Sequence, residues 1–172
     1  MNPLHRNLVY FVALFVMLSG PSADAVESLY VTTSSHGAVR VANEPALNPV
    51  GGITIEAWVN RKSADRCETI VGKNFRTGFW LGLCGIVESG GTSIRFITNG
   101  SETFADSPVA VQAERWVHIA VTFDGTNRRY YQDGVKVHEA LTPGPLPANG
   151  DDLLIGDDSL EDIPFSGFLA EV

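Results

Sequence analysis

The stretch WVHIAVTFDGTNRRYYQDGVKVHEA, residues 116–140, decides the fold class of this chain. Its first third has an apolar side chain at every second position, which is the period of a strand with one buried face: Val117, Ile119, Val121 and Phe123. Two turn sequences follow, DGTN and DG, and Asp-Gly suits a two-residue type I′ hairpin turn. The stretch therefore predicts a meander of three antiparallel strands, at residues 116–123, 129–132 and 135–140.

On either side of this meander the chain continues as short strands separated by turn residues. ITIEAWVN, residues 53–60, alternates in the same way and places Trp58 opposite its more apolar face. No stretch of ten or more residues beyond residue 25 has helical periodicity, and further strands are predicted at residues 68–73, 78–84, 93–98, 153–156 and 167–172. Together with 17 Gly and 9 Pro, the pattern predicts an all-β, two-sheet antiparallel sandwich.

The two cysteines, Cys67 and Cys84, lie on neighbouring predicted strands. An antiparallel register that pairs Lys73 with Gly78 also places the two cysteines opposite each other. In the same register Val71 pairs with Trp80, and Thr69 pairs with Gly82. Opposed Cβ atoms lie about 4.5–5.5 Å apart, close to the bridging range of about 3.5–4.5 Å. We therefore expect a structural disulfide. The alternatives are two free thiols or half of a zinc site, which would need two further ligands nearby.

Six segments, taken in order, carry a family resemblance: ITIEAWV, TIVGK, RWVHIAVTFDGTNRRYY, QDGV, LLIGDDS and FSGFLAEV. From about residue 29 onward the chain resembles the laminin-G-like jelly-roll domains of the concanavalin A-like lectin/glucanase superfamily. The resemblance implies a jelly-roll sandwich, a binding role towards glycans or extracellular proteins, and often a bound calcium ion. It also implies that the last strand pairs near residues 29–32. Family members usually continue for several strand residues beyond the position that corresponds to Val172. We therefore expect a truncated C-terminal strand or a fragment of a longer protein.

Residues 1–25 have the features of a secretory signal peptide. Arg6 supplies a positive charge, residues 8–18 are apolar, and ADA at residues 23–25 suits signal peptidase, which places the cut before Val26. The alternative is a membrane anchor, but a spanning helix needs about 20 apolar residues. No later run is long enough either, so we predict a secreted domain at residues 26–172, extracellular or periplasmic, with no membrane span.

The net charge of −8 limits the class of partner. Loss of the leader leaves it unchanged, because Arg6 and Asp24 are removed together. An acidic chain without a basic face does not neutralise phosphate or sulfate groups. We therefore predict no nucleic-acid partner and no heparin-like ligand.

Acidic residues are concentrated around the LLIG strand, and they suggest a cation site: Asp151, Asp152, Asp157, Asp158, Glu161 and Asp162. Crowded carboxylates repel one another, and calcium relieves that repulsion by taking six to eight oxygen ligands. Asn43 and Glu44 could complete the site if folding brings their loop close. The alternative is a solvated acidic loop, because Asp is also a common turn residue.

Three aromatic residues are the predicted ligand contacts: Trp58, Trp116 and Tyr130. The two tryptophans lie opposite the more apolar faces of their strands, which leaves their rings available for stacking on sugars. The alternative is that these side chains belong to the core, as aromatic residues in a sandwich often do. Trp80, beside the predicted disulfide, is interpreted as a packing residue.

No catalytic residues are predicted. Glycanases need two carboxylates about 5–10 Å apart across the scissile bond, and Glu56 is the lone acidic residue of its strand. The chain has no Gly-x-Ser-x-Gly, His-Glu-x-x-His or phosphate-loop motif, and His118 fits a structural strand position. The sequence therefore predicts a secreted, non-catalytic module that recognises carbohydrate, with calcium as a candidate cofactor. A protein-binding or adhesion module and a glycan hydrolase are the alternatives.

Overall fold

Two antiparallel sheets packed face to face form an all-β sandwich, as predicted. The computed structural model describes residues 28–32, 39–62, 66–87, 91–98, 106–158 and 163–172. The predicted signal peptide, Glu161 and Asp162 lie outside these residues. No helix in the described ranges is long and apolar enough to cross a membrane.

The six-stranded sheet contains both terminal strands and the predicted meander. In spatial order its strands are β1 (Leu29–Val31), β11 (Gly167–Ala170), β3 (Ile53–Arg61), β7 (Val117–Phe123), β8 (Asn127–Gln132) and β9 (Val135–Leu141). The last strand thus pairs with the first, as the family resemblance implied, and its other edge pairs with β3.

The five-stranded sheet contains the cysteine hairpin and the strand of the acidic segment. Its spatial order is β2 (Val39–Val41), β10 (Leu153–Ile155), β4 (Glu68–Gly72), β5 (Phe79–Val87) and β6 (Gly91–Thr98). Strand β2 and a single 3-10 turn at Pro45–Leu47 were not predicted from the sequence.

The core lies between the sheets and follows the predicted alternation. In β3 and β7 alternate side chains face the core, and the fully buried ones include Ala57, Val59, Val117, Ile119 and Val121. The intervening residues of both strands are at least partly exposed, except Ala120, which is 8% exposed. This division leaves one face of the six-stranded sheet free to meet a ligand.

The Asp133-Gly134 turn of the meander has the predicted form. Both residues have positive φ angles, 49° and 78°, as a type I′ turn requires. At the preceding turn, the Asp124 carboxylate accepts hydrogen bonds from the backbone N–H groups of Thr126 and Asn127. Local turn chemistry therefore fixes the register of the meander.

The cysteine hairpin confirms the disulfide and corrects part of the predicted register. Cys67 and Cys84 are bonded, and Thr69 pairs with Gly82 as expected. Val71, however, pairs with Leu81 rather than with Trp80, because a β-bulge lies between Thr69 and Val71. One extra residue in β4 shifts all later pairs by one position.

Two buried arginines of the six-stranded sheet cross to the other sheet. Arg128 donates to the backbone oxygen of Phe96 at 3.0 Å and to the hydroxyl of Thr98 at 2.9 Å. Arg61 donates to the Thr92 hydroxyl, and its Nε lies 3.2 Å from Oε2 of Glu68. Burial raises the pKa of Glu68 to about 7, although Arg61 and Arg66 act in the opposite direction.

Candidate functional site

Four aromatic side chains lie together on the solvent side of the six-stranded sheet, and we call them the aromatic face: Tyr30, Trp58, Trp116 and Phe168. They come from β1, β3, the residue before β7, and β11. Successive side chains of a strand point to opposite faces of the sheet. Because each of these aromatic residues lies next to a core residue of its own segment, the aromatic rings point towards solvent. The face therefore rests on four segments of one rigid sheet.

Three of the four rings of the aromatic face are connected through Phe168. The ring centroids of Tyr30 and Phe168 are 4.8 Å apart, and those of Trp116 and Phe168 are 6.3 Å apart. Trp58 lies against His118, with 5.2 Å between centroids. Tyr30, Trp58 and Trp116 keep 49%, 37% and 39% of their surface exposed. A group of exposed aromatic residues on one face of a sheet marks an interaction site more often than scattered apolar residues do.

Polar groups border the aromatic face. The Lys62 ammonium donates to the Tyr30 hydroxyl at 2.8 Å and lies 4.9 Å from the centroid of its ring. Nε2 of His118 lies 3.7 Å from Oε2 of Glu56. These groups give the face hydrogen-bond donors and acceptors next to apolar rings, which is the composition of a small-molecule site.

The structure places Trp58 and Trp116 where a ligand can reach them, but it corrects the expectation for Tyr130. The Tyr130 ring is completely buried, because this residue pairs with Val121 and shares its inward face. A ring with no exposed surface cannot stack on a ligand. Sequence reasoning in turn missed Tyr30 and Phe168. For Phe168 the available signal was its outward position in the alternation of β11.

Trp80 is a packing residue, as expected. It is 2% exposed, and its indole Nε1 donates to the Thr69 hydroxyl at 3.0 Å. The ring lies over Gly82, where an added Cβ would collide with it. Trp80 therefore stabilises the sheet beside the disulfide and is not available to a ligand.

The acidic segment is divided between the two ends of β10. Asp151 and Asp152 precede this strand, whereas Asp157 and Asp158 follow it. Asp157 and Asp158 are each 8% exposed, and Oδ1 of Asp157 accepts the backbone N–H of Asp158 at 2.8 Å. In the described part of the chain, no three His, Cys, Asp or Glu side chains are grouped so that they could hold a metal.

Folding brings Asn43 close to Asp152, one of the first acidic pair. Its backbone N–H donates to Oδ1 of Asp152 at 2.9 Å. We call the surrounding residues the loop cluster: Asn43, Asn48, Lys73, Asn149, Asp151 and Asp152. At its centre is Lys73, which is 1% exposed and whose ammonium donates to Oδ1 of Asn43 at 2.6 Å.

The loop cluster fits a calcium ion poorly. The amide oxygens of Asn43 and Asn48, which calcium would need as ligands, are already hydrogen-bonded to the Lys73 ammonium. Oδ2 of Asp152 is paired with Arg40 at 2.9 Å. Burial lowers the pKa of Lys73, while Asp151 and Asp152 act in the opposite direction. This end of the sandwich thus contains a cationic group of its own.

Solved structures of other proteins share this fold. Domain 4 of AbnA, an extracellular arabinanase from Geobacillus stearothermophilus solved with arabinotriose, has a TM-score of 0.55 and 16% identity. The match covers 70% of this chain and 58% of that one. A SAP-like pentraxin from Limulus polyphemus has a TM-score of 0.58 and 15% identity, over 77% and 72% of the two chains.

A third structure is CBM40 of the Ruminococcus gnavus IT-sialidase bound to α2,3-sialyllactose. It has a TM-score of 0.55 and 14% identity, and the match covers 84% of this chain and 90% of that one. Identities this low show the fold alone. No curated protein matches the sequence.

The family comparison extends over most of the chain. A family model, Laminin_G_3, matches residues 33–172 and is described as the Concanavalin A-like lectin/glucanases superfamily. The matched range includes ten of the eleven strands, and both sheets of the sandwich. The chain therefore belongs to the Laminin_G_3 family of the Concanavalin A-like lectin/glucanases superfamily.

Proposed function

We propose that this protein is a secreted, non-catalytic carbohydrate-binding module that holds its ligand against the aromatic face. The observation that carries the proposal is the set of outward-facing rings on one sheet, in which Tyr30, Trp58 and Trp116 are exposed. The ring of Phe168 lies between those of Tyr30 and Trp116. The apolar side of a sugar ring can lie against such rings while its hydroxyl groups reach nearby polar atoms. Lys62, His118 and Glu56 provide those atoms at the border of the face.

Two further observations support a glycan-binding role outside the cell. Two of the structural neighbours were solved with arabinotriose and with sialyllactose, so the shared fold hosts sugar sites in those proteins. The Cys67–Cys84 disulfide is typical of oxidising compartments. It agrees with the signal peptide predicted at residues 1–25.

The state of Glu56 supports a binding role rather than catalysis. Its side chain is 61% exposed, whereas the general acid of a glycosidase typically lies in an apolar pocket. The Asp133 carboxylate is engaged in the meander, because its Oδ1 accepts the backbone N–H of His118 at 3.0 Å. Both groups therefore lack the setting of a catalytic acid.

The second candidate is a docking surface for another protein domain. The position of the aromatic face favours it, because Tyr30 and Phe168 lie on β1 and β11, the first and last strands of the domain. A neighbouring domain of a longer chain would start close to these rings. Exposed aromatic residues serve protein interfaces as well as sugar sites.

The deciding experiment is a glycan array followed by calorimetry on the best ligand, with the wild type and two variants, Trp58→Ala and Trp116→Ala. Removing a central contact typically costs more than about 1.4 kcal/mol, so each variant should bind at least about tenfold more weakly. Leu141→Ala is the control, because Leu141 is exposed but lies at the far end of the meander.

Two results would count against the proposal. One is wild-type protein that binds no glycan on the array, with and without calcium. The other is a glycan whose affinity is the same for the wild type and for both tryptophan variants. A protein partner that is captured by the wild type and lost with Trp58→Ala would support the docking surface instead.

A further inference from the structure

We propose that the Lys73 ammonium is the resident cation of the loop cluster, so that this end of the sandwich is held together without calcium. The inference does not depend on the proposed function, because it concerns the opposite sheet and a different set of residues. It replaces the expected metal site at Asn43, Asp151 and Asp152 with an internal charge.

The surroundings of Lys73 provide hydrogen-bond acceptors for its ammonium group. Nζ donates to Oδ1 of Asn43 at 2.6 Å, to Oδ1 of Asn48 at 2.9 Å and to the backbone oxygen of Leu47 at 3.4 Å. An ammonium group has three protons, and here each of them has an oxygen acceptor. A buried lysine is stable when it is hydrogen-bonded and lies near opposite charge, and both conditions are met.

The same residues connect three separate segments of the chain. The backbone oxygen of Lys73 accepts the Asn149 amide at 2.8 Å, and the backbone N–H of Asn149 donates to Oδ1 of Asn48 at 3.1 Å. Asn48 therefore receives donors from both neighbouring loops. Lys73 and its partners thus take the structural role that a bridging metal ion would have.

The charges of the loop cluster are already balanced. Lys73 and Arg40 face Asp151 and Asp152, so two cations accompany two carboxylates. Oδ2 of Asp151 accepts hydrogen bonds from Asn74 at 3.0 Å and from Thr77 at 3.3 Å. The repulsion between carboxylates that suggested a calcium ion is therefore compensated within the protein.

A calcium ion would have to displace Lys73 in order to bind here. Calcium requires six to eight oxygen atoms at about 2.3–2.6 Å, and the two amide oxygens turned towards this point are used by the ammonium. The double positive charge of a calcium ion would also be repelled by the Lys73 ammonium at short range. An ion could enter only if the lysine moved out into solvent.

The first test is a calcium titration of the wild-type protein, followed through backbone amide signals in NMR spectra. We expect no saturable shifts at Asn43, Asp151 or Asp152 up to millimolar calcium. Saturable shifts of these three signals would overturn the inference. Since no substitution is involved, the result does not depend on the folding of a variant.

The second test removes the charge and keeps the size of the side chain. Lys73→Met should lower the thermal midpoint by about 5–10 °C, in calcium as in EDTA, because the oxygens around Nζ lose their donors. Lys136→Met is the control, because Lys136 lies at the surface and pairs there with Glu139. Equal midpoints for the two variants would overturn the role assigned to Lys73.

Discussion

The buried pair formed by Arg61 and Glu68 should make the domain less stable as the pH rises. Both side chains are completely buried between the sheets. Burial disfavours the charged carboxylate and raises the pKa of Glu68 to about 7, against an ordinary value of 4.5. Between these two values the folded protein retains a proton that the unfolded chain has lost.

The size and the sign of the effect follow from the two pKa values of Glu68. A group with a raised pKa in the folded state adds stability that is present below pH 4.5 and is lost as the pH passes 7. The gap between the values corresponds to about 3 kcal/mol of unfolding free energy. That is a large share of the stability of a typical domain.

The assay is urea unfolding at about pH 5 and about pH 8, with the wild type and Glu68→Gln. We expect the wild type to lose about 2.5 kcal/mol more than the variant over this interval, because a small part of the effect is already lost at about pH 5. Other titrating groups cancel in that comparison, and the exposed Glu44→Gln serves as a control with the wild-type pH dependence. A wild type that gains stability relative to Glu68→Gln would refute the reasoning, since attraction to Arg61 would then outweigh burial.

Two more predictions concern the cysteine hairpin. Gly82→Ala should destabilise the protein by about 1–3 kcal/mol, because the new Cβ would meet the Trp80 ring and the backbone of Glu68. Thermal unfolding beside Gly144→Ala, which adds a Cβ in open space, checks this, and equal midpoints would contradict it. Replacing both cysteines with alanine should cost about 3 kcal/mol in urea unfolding, because the bridge closes a loop between residues 17 positions apart. No loss of stability would mean that the bridge adds little to a hairpin already fixed by its strands.

The fold was predictable wherever burial alternates along a strand. β3 and β7 have one buried and one exposed face, so their sequences show the period of two directly. β4 is buried at all five positions, which leaves no alternation from which to set its register. The bulge after Thr69 was therefore invisible in the sequence, although the cysteine pairing before it was not affected. β2 was missed because its three residues are all exposed.

The candidate site was predictable only in part, because it depends on which strands become neighbours. Trp58 and Trp116 were identified from their own strands, but their association with Tyr30 and Phe168 follows from the position of β11 beside β1 and β3. Tyr130 and Tyr131 are adjacent in β8, so their side chains point to opposite faces of the sheet. The pairing of Tyr130 with Val121 decides which of the two is buried.

Long-range contacts also explain the loop cluster. Asn43 and Asp152 are 109 positions apart, and Lys73 reaches them from a third segment. The sequence indicates a concentration of carboxylates, but it does not indicate which cation lies among them. A lysine in a short turn looks the same in the sequence whether it is exposed or buried.

The two sheets would therefore provide different parts of the proposed binding module. The disulfide, Trp80 and the loop cluster fix the five-stranded sheet and its loops through internal contacts. The six-stranded sheet carries the aromatic face on strands whose other sides form the core, so its rings are held in place before a ligand arrives. A preorganised surface loses little conformational entropy on binding, and rigid aromatic contacts are favourable for that reason. If the aromatic face binds sugars in this way, core mutations beneath Trp58 should weaken binding only when they also increase the conformational freedom of the sheet.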